Sequence, residues 1–263
     1  TSTDNIAIGR YALGGDWADS ASNENVAIGT QALQANLNAS LYNVAIGHQS
    51  LYTQTTADGN VGVGYKTGYY NDTGTANTWV GYQAGLGATG DSNSSNTGVG
   101  YSALQAITTG DNNVAVGASA LDAMTTGVGN IAIGLNALGI ADNDESYNVA
   151  IGFNAMASAD DDAVDHNIAI GYYALNATTH ASAIAIGREA LKANTSGEGN
   201  IGIGFQALLG HTTGSRNIAI GYGAMNDTDA NDCPTSIDNI FMGYDAGGGT
   251  WTTNDCNYNV GIG

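Results

Sequence analysis

Asn25-Val26-Ala27-Ile28-Gly29 is followed by Asn43-Val44-Ala45-Ile46-Gly47 and then by Asn60-Val61-Gly62-Val63-Gly64. The phrase (Asn, branched aliphatic, small residue, branched aliphatic, Gly) recurs fifteen times, from Asn5–Gly9 to Asn259–Gly263. Its closing glycines lie 16 to 22 residues apart, most often 17. A unit this short cannot bury a core of its own, so each copy must be one layer of a stack. Two β-branched residues separated by one residue share a face of an extended strand, and their stiff χ1 favours that strand. A 3.6-residue stripe has no room in four or five residues ending in Gly. The expected architecture is therefore all-β: a parallel β-solenoid, or β-roll, of about fifteen rungs of 16–22 residues. It forms one repeat domain over residues 1–263.

Each position of the repeat carries its own expectation. The Ile/Val pair is expected to face the core. The residue between them is Ala or Gly in thirteen copies, with Trp79 and Phe241 as exceptions, and points to the opposite face. A strip of such small residues would let a neighbouring chain approach closely. Its members are Ala7, Ala27, Ala45, Gly62, Ala115, Ala132, Ala150, Ala169, Ala185 and Ala219. The closing Gly permits a turn that a side chain would block. Three residues later comes Ala, Ser or Thr, and then Leu or Met in eleven of fourteen complete repeats; Gly68, Gly85 and Gly247 take that place in the others. This Leu would close the core from a second wall. The leading Asn, replaced only by Ala183, is expected to form a ladder of amide hydrogen bonds and to satisfy the turn backbone.

Phrases such as Asn25–Gly29 and Asn217-Ile218-Ala219-Ile220-Gly221 resemble the head repeats of YadA-type trimeric autotransporter adhesins. They are also similar to repeat arrays of phage tail-fibre proteins. The resemblance covers essentially the whole chain. It implies a left-handed parallel β-roll, association of three chains side by side, and an adhesive or fibrous role. The rungs here are longer than in typical adhesin heads, and this stretch carries neither a coiled-coil stalk nor a membrane anchor.

With 24 acidic and 5 basic residues, the chain has a formal charge of −19. That balance opposes nucleic acid and anionic membranes as partners. No run of about 20 apolar residues offers a membrane span. Cys233 and Cys256 occupy nearly the same phase in consecutive long connections, twelve and thirteen residues after their motif glycines. A disulfide stapling the last two rungs is expected, and with it an oxidising, extracellular setting. The sequence begins at Thr1 without Met, as a processed or excised chain would, and it opens and closes at the strand of a repeat. Uncapped ends suit either a piece of a longer fibre or a subunit stacking end to end. At roughly 4.8 Å per rung the rise would be about 70 Å.

Candidate sites are few. Tyr65, Tyr82 and Tyr101 follow consecutive motif glycines and should form an aromatic column, suited to packing or to sugar rings. Asp142 and Asp160 share one phase, Asp144 and Asp162 another. Four carboxylates on adjacent rungs are a calcium hypothesis, with a solvated loop as the alternative. Otherwise no cofactor is expected. The four histidines sit at different phases, the five basic residues are scattered, and neither an HExxH motif nor a nucleophile elbow occurs. The expected function is a non-enzymatic, extracellular structural or adhesive fibre segment, on a cell surface or a virion. It would associate with itself, as a homotrimer or an end-to-end filament, and present a multivalent surface to a glycan or host receptor. The alternatives are a tail-fibre shaft and a carbohydrate-processing enzyme on a β-helix.

Overall fold

The structure is a computed structural model that describes residues 3–15, 22–35, 37–140, 144–159, 164–178, 180, 182–226, 235–248 and 256–263. The chain divides into two compact units, Thr1–Gly129 with Asp142–Asp144, and Asn130–Ala141 with Glu145–Gly263. The first holds β1 (Ile6–Ile8), β2 (Val26–Ile28), β3 (Val44–Ile46), β4 (Val61–Tyr65), β5 (Thr78–Tyr82), β6 (Thr97–Val99) and β7 (Val114–Val116). The second holds β8 (Ile131–Ile133), β9 (Val149–Ile151), β10 (Ile168–Ile170), β11 (Ile184–Ile186), β12 (Ile201–Ile203), β13 (Ile218–Ile220), β14 (Ile240–Met242) and β15 (Val260–Ile262). Every strand is one copy of the repeated phrase. Within each unit the strands pair in parallel and in chain order, like residue over like: Ala27 over Ala45, Ile170 over Ile186. Each unit is thus a parallel β-solenoid, and no helix is present among the described residues.

The two faces of the strands are the reverse of the sequence expectation. Ala27, Ala45, Ala115, Ala132, Ala150, Ala169, Ala185 and Ala219 are fully buried inside their own coils, and Gly62 is buried with them. Of the strip, only Ala7 on the first strand is exposed. The Ile/Val pairs look outward and are half-buried or exposed. The reason is the bore of the coil. A Cβ built on Gly62 would run into Ser50 Oγ and come within 3.0 Å of Leu51 Cγ and Thr67 Oγ1. One on Gly202 would lie 3.1 Å from Leu191 Cγ. At most a methyl group fits this space, and a branched side chain overpacks it. The strip therefore packs against the second wall of its own coil, Leu33, Leu51, Leu104 and Leu121 in one unit and Leu138, Met156, Leu175 and Leu191 in the other, all fully buried.

The irregular rungs obey the same geometry. Trp79 takes the inward strand position and is fully buried. Glycines surround it: a Cβ on Gly85 would enter its ring, and those on Gly68 and Gly98 would stand 2.7 Å from it. Phe241 repeats the exchange with Gly247 and Gly261. A large residue on the strand is offset by lost side chains on the facing wall and the adjacent strand.

The corners use the left-handed region of backbone space. Gly47 has φ +129°, and a Cβ there would strike the Gly64 carbonyl oxygen of the next rung. The second-wall Leu33 and Leu51 sit at φ +47° and +48°, as do their counterparts in other rungs. Such a conformation costs a non-glycine residue roughly 1–2 kcal/mol. It is held by stacking: Leu33 N–H donates to the Ser50 carbonyl at 3.1 Å, and Leu51 N–H to the Thr67 carbonyl at 2.9 Å.

The expected asparagine ladder is present in both units. The backbone N–H of Asn43 donates to Asn25 Oδ1, that of Asn60 to Asn43 Oδ1 and that of Asn113 to Asn96 Oδ1, each at 2.9 Å. In the second unit Asn148 donates to Asn130, Asn167 to Asn148, and Asn217 to Asn200, again at 2.9 Å. Each Nδ2 reaches the connection of the following rung, always at the carbonyl three residues before its Asn: Asn60 to Gly74, Asn96 to Gly110, Asn200 to Gly214. Ala183 interrupts this pattern. The carbonyl in line for its missing amide is Gly197, which now accepts from Asn194 Nδ2; the equivalent Gly74 carbonyl takes both Asn71 and Asn60. Ala183→Asn is expected to close the gap and raise unfolding free energy by about 1 kcal/mol. Urea denaturation checks this, and an unchanged or lower midpoint would show that the ladder does not carry stability there.

Candidate functional face

Because the strand pairs point outward, each rung presents two aliphatic columns. Neither column holds a charged residue in any of the fifteen rungs. In rungs flanked on both sides within their unit the exposure is substantial: Ile46 37%, Ile240 37%, Met242 39%. Isolated surface aliphatics are ordinary, but a contiguous apolar file marks an interaction surface.

A third column lies two residues beyond the second. β4 and β5 run on to Tyr65 and Tyr82, which pair in register. The expected ladder is formed: Tyr65 stacks on Tyr82 at 5.0 Å between centroids, and Tyr82 on Tyr101 at 5.2 Å. His48 extends it, stacked on Tyr65 at 5.6 Å. In the second unit Phe153 stacks on Tyr172, Phe205 on Tyr222 and Tyr222 on Tyr244. Arg188, at the same phase, places its guanidinium carbon 5.6 Å from the Tyr172 centroid and 5.5 Å from that of Phe205. A flat cation between two rings continues the stack by cation–π attraction. Sequence reasoning confined to aromatic residues missed His48 and Arg188. The signal was available, since both directly follow a motif glycine.

The remaining candidates are not gathered into a site. Of the four aspartates, only Asp144 lies among the described residues, and it is exposed; Asp142, Asp160 and Asp162 lie outside them. No group of three His, Cys, Asp or Glu able to hold a metal occurs among the described residues. Cys256 is buried, while Cys233 lies outside the described residues. His211 is fully buried and faces Asn217 Nδ2 at 3.0 Å. An amide nitrogen only donates, so Nε2 must accept and the ring proton sits on Nδ1. Burial holds the His211 pKa down to about 4. Asp91 is also buried and accepts from the Ala88 N–H. Burial, opposed by that hydrogen bond and reinforced by the Asp72 charge, pushes its pKa up to about 7. Both groups sit in the packing of their own rungs.

Comparison with protein-family models, with curated proteins and with solved structures finds no match for this chain.

The two buried groups give the units opposite responses to pH. Asp91, raised in the folded state, contributes stability that is full below pH 3.8 and lost as pH rises through about 7. His211, depressed in the folded state, contributes stability that is full above pH 6.5 and lost as pH falls through about 4. Hydrogen exchange should therefore show the rung of Asp91 better protected at pH 5 than at pH 8, and the rung of His211 the reverse. Asp91→Asn and His211→Gln should each flatten the corresponding slope. A slope unchanged in its own variant would assign the pH response elsewhere.

Proposed function

We propose that this chain is a structural, adhesive fibre segment of an extracellular surface that associates with copies of itself, as a homotrimer, and has no chemistry of its own. The observation that carries this reading is the pair of outward Ile/Val columns. A surface that repeats once per rung is best covered by a partner with the same repeat, and another copy of the chain has it. Charge points the same way. Two chains of formal charge −19 repel, so close contact is favoured where neither presents a charge. The aliphatic columns meet that condition in every rung. The likeness of the repeat to adhesin heads and tail fibres supports side-by-side packing of three chains. The strands rather than the buried alanines would meet in it. The strong acidity argues against nucleic acid as a partner.

Light scattering coupled to size exclusion tests the assembly. The wild type should elute with the mass of three chains, and Ile46→Glu with Val116→Glu should release monomers whose circular dichroism is unchanged. By contrast Ala115→Glu, which places a carboxylate inside the coil, should abolish folding. A monomeric wild type at every concentration would overturn self-association.

The extracellular setting also rests on a Cys233–Cys256 disulfide, which we include in this proposal. Intact mass under non-reducing conditions should fall two hydrogens short of the reduced chain. Alkylation of both cysteines without reductant would remove the support for an oxidising compartment.

A further inference from the structure

A groove of about 320 Å³ opens on the first unit, where the connections after β2, β3, β4 and β5 pass one another. Gln34, Tyr52, Thr53, Tyr70, Asp72 and Thr89 line it. Its volume lies at the lower end of the range for small-molecule sites, roughly 300–1,000 Å³.

Two aromatic rings are held firmly here. Tyr52 stacks on Tyr69 at 4.8 Å with planes 8° apart, and Tyr70 meets Tyr69 at 4.5 Å and 77°. The Tyr52 and Tyr70 rings are thus set nearly at right angles to each other. The backbone around Asp72 is also fixed: its carbonyl accepts from Thr55 N–H at 2.9 Å and Thr55 Oγ1 at 3.1 Å. Asp72 itself is half-buried, lines the groove and makes no ion pair to any described residue. Gln34 Oε1 is buried and has no hydrogen-bond partner. A buried acceptor without a donor costs on the order of 1–3 kcal/mol. Thr53 spends its hydroxyl proton on the Tyr69 carbonyl at 2.9 Å, which leaves that oxygen as an acceptor.

The demand of this groove is therefore specific. It offers apolar ring surface, hydroxyls and one carboxylate, and no Lys or Arg lines it. An anion finds no counter-charge, and a purely apolar molecule leaves the Asp72 carboxylate unmatched. A molecule with an apolar face and several O–H donors on its edge satisfies both. We propose that this groove is a saccharide-binding site that takes one pyranose ring, laid against Tyr52 or Tyr70 with its hydroxyls donating to Asp72. The proposal names a ligand class for the adhesive part of the reading above and rests on it. The groove is nevertheless complete within one chain, so its failure would leave self-association untouched.

Saturation-transfer NMR on the full chain tests it, with the methyl pyranosides of glucose, galactose, mannose and N-acetylglucosamine as probes, and choline and p-cresol as competitors. At least one pyranoside should show saturable transfer concentrated on one face of its ring. Binding should weaken at least tenfold in Tyr52→Ala and in Asp72→Asn, and should be unchanged in Tyr65→Ala, outside the groove. Asp72→Asn keeps the shape and the backbone bonds, so it separates loss of binding from loss of fold. Absence of transfer to all four sugars would overturn the proposal. So would transfer indifferent to Asp72→Asn, or stronger binding of choline or p-cresol at the same residues.

Discussion

The hydrogen bonds of the asparagine column are what the rest of each unit depends on. Strands of three residues contribute few ladder bonds, and the corners hold Leu and other side chains at positive φ against their preference. Neither would persist in a lone rung. The Asn side chain ties successive rungs at two points: Oδ1 receives the next Asn backbone N–H, and Nδ2 captures the returning connection. The second bond always ends three residues before the next Asn, whether the connection is short, as at Gly74, or long, as at Ser236 and Cys256. The approach to each strand is therefore fixed while the loop before it varies. This is why spacings of 16 to 22 residues coexist with perfect register.

That arrangement was largely legible in the sequence. A phrase repeated with Asn at one phase and Gly at another announces parallel strands in register, and the stacked tyrosines follow from the same periodicity. The direction of the strands' faces was not legible from hydropathy. Branched aliphatics beside alanines suggest that the aliphatics are inside, and in a wide sandwich they would be. Here the coil is narrow enough that the bore, rather than hydrophobicity, decides which side chain enters. The sequence did contain the clue in its exceptions. Trp79 falls between Gly68 and Gly85, and Phe241 precedes Gly247. Compensating sizes mean a shared cavity, so the small strand position and the later Leu must face each other.

The left-handed corners were hidden for a related reason. Leucine is a poor candidate for positive φ, yet Leu33, Leu51 and Leu104 adopt it because their burial leaves no other way to fill the second wall. Gly68, Gly85 and Gly247 at that phase were the visible sign. The groove was harder to foresee. Gln34 and Tyr52 share a phase, five residues after their motif glycines, but Tyr70 and Asp72 lie six and eight after theirs, and only the real path of the connections brings the four together.

A stack of this kind divides its residues by what the fold requires. The inward small residue, the Asn, the motif Gly and the second-wall Leu are constrained by bore and register. The outward strand positions are constrained only to favour an extended backbone, and Thr78 and Thr97 show that a polar β-branched residue meets that need. Threonine throughout would give the same strands with a better hydrated face. Ile or Val nevertheless occupies thirteen of fifteen copies in one column and fourteen in the other. The fold does not require that excess, and exposure to water disfavours it. An aliphatic file maintained beyond what folding needs is best explained by a surface that covers it. The proposed self-association would supply such a surface, since the same file on another copy matches it rung for rung.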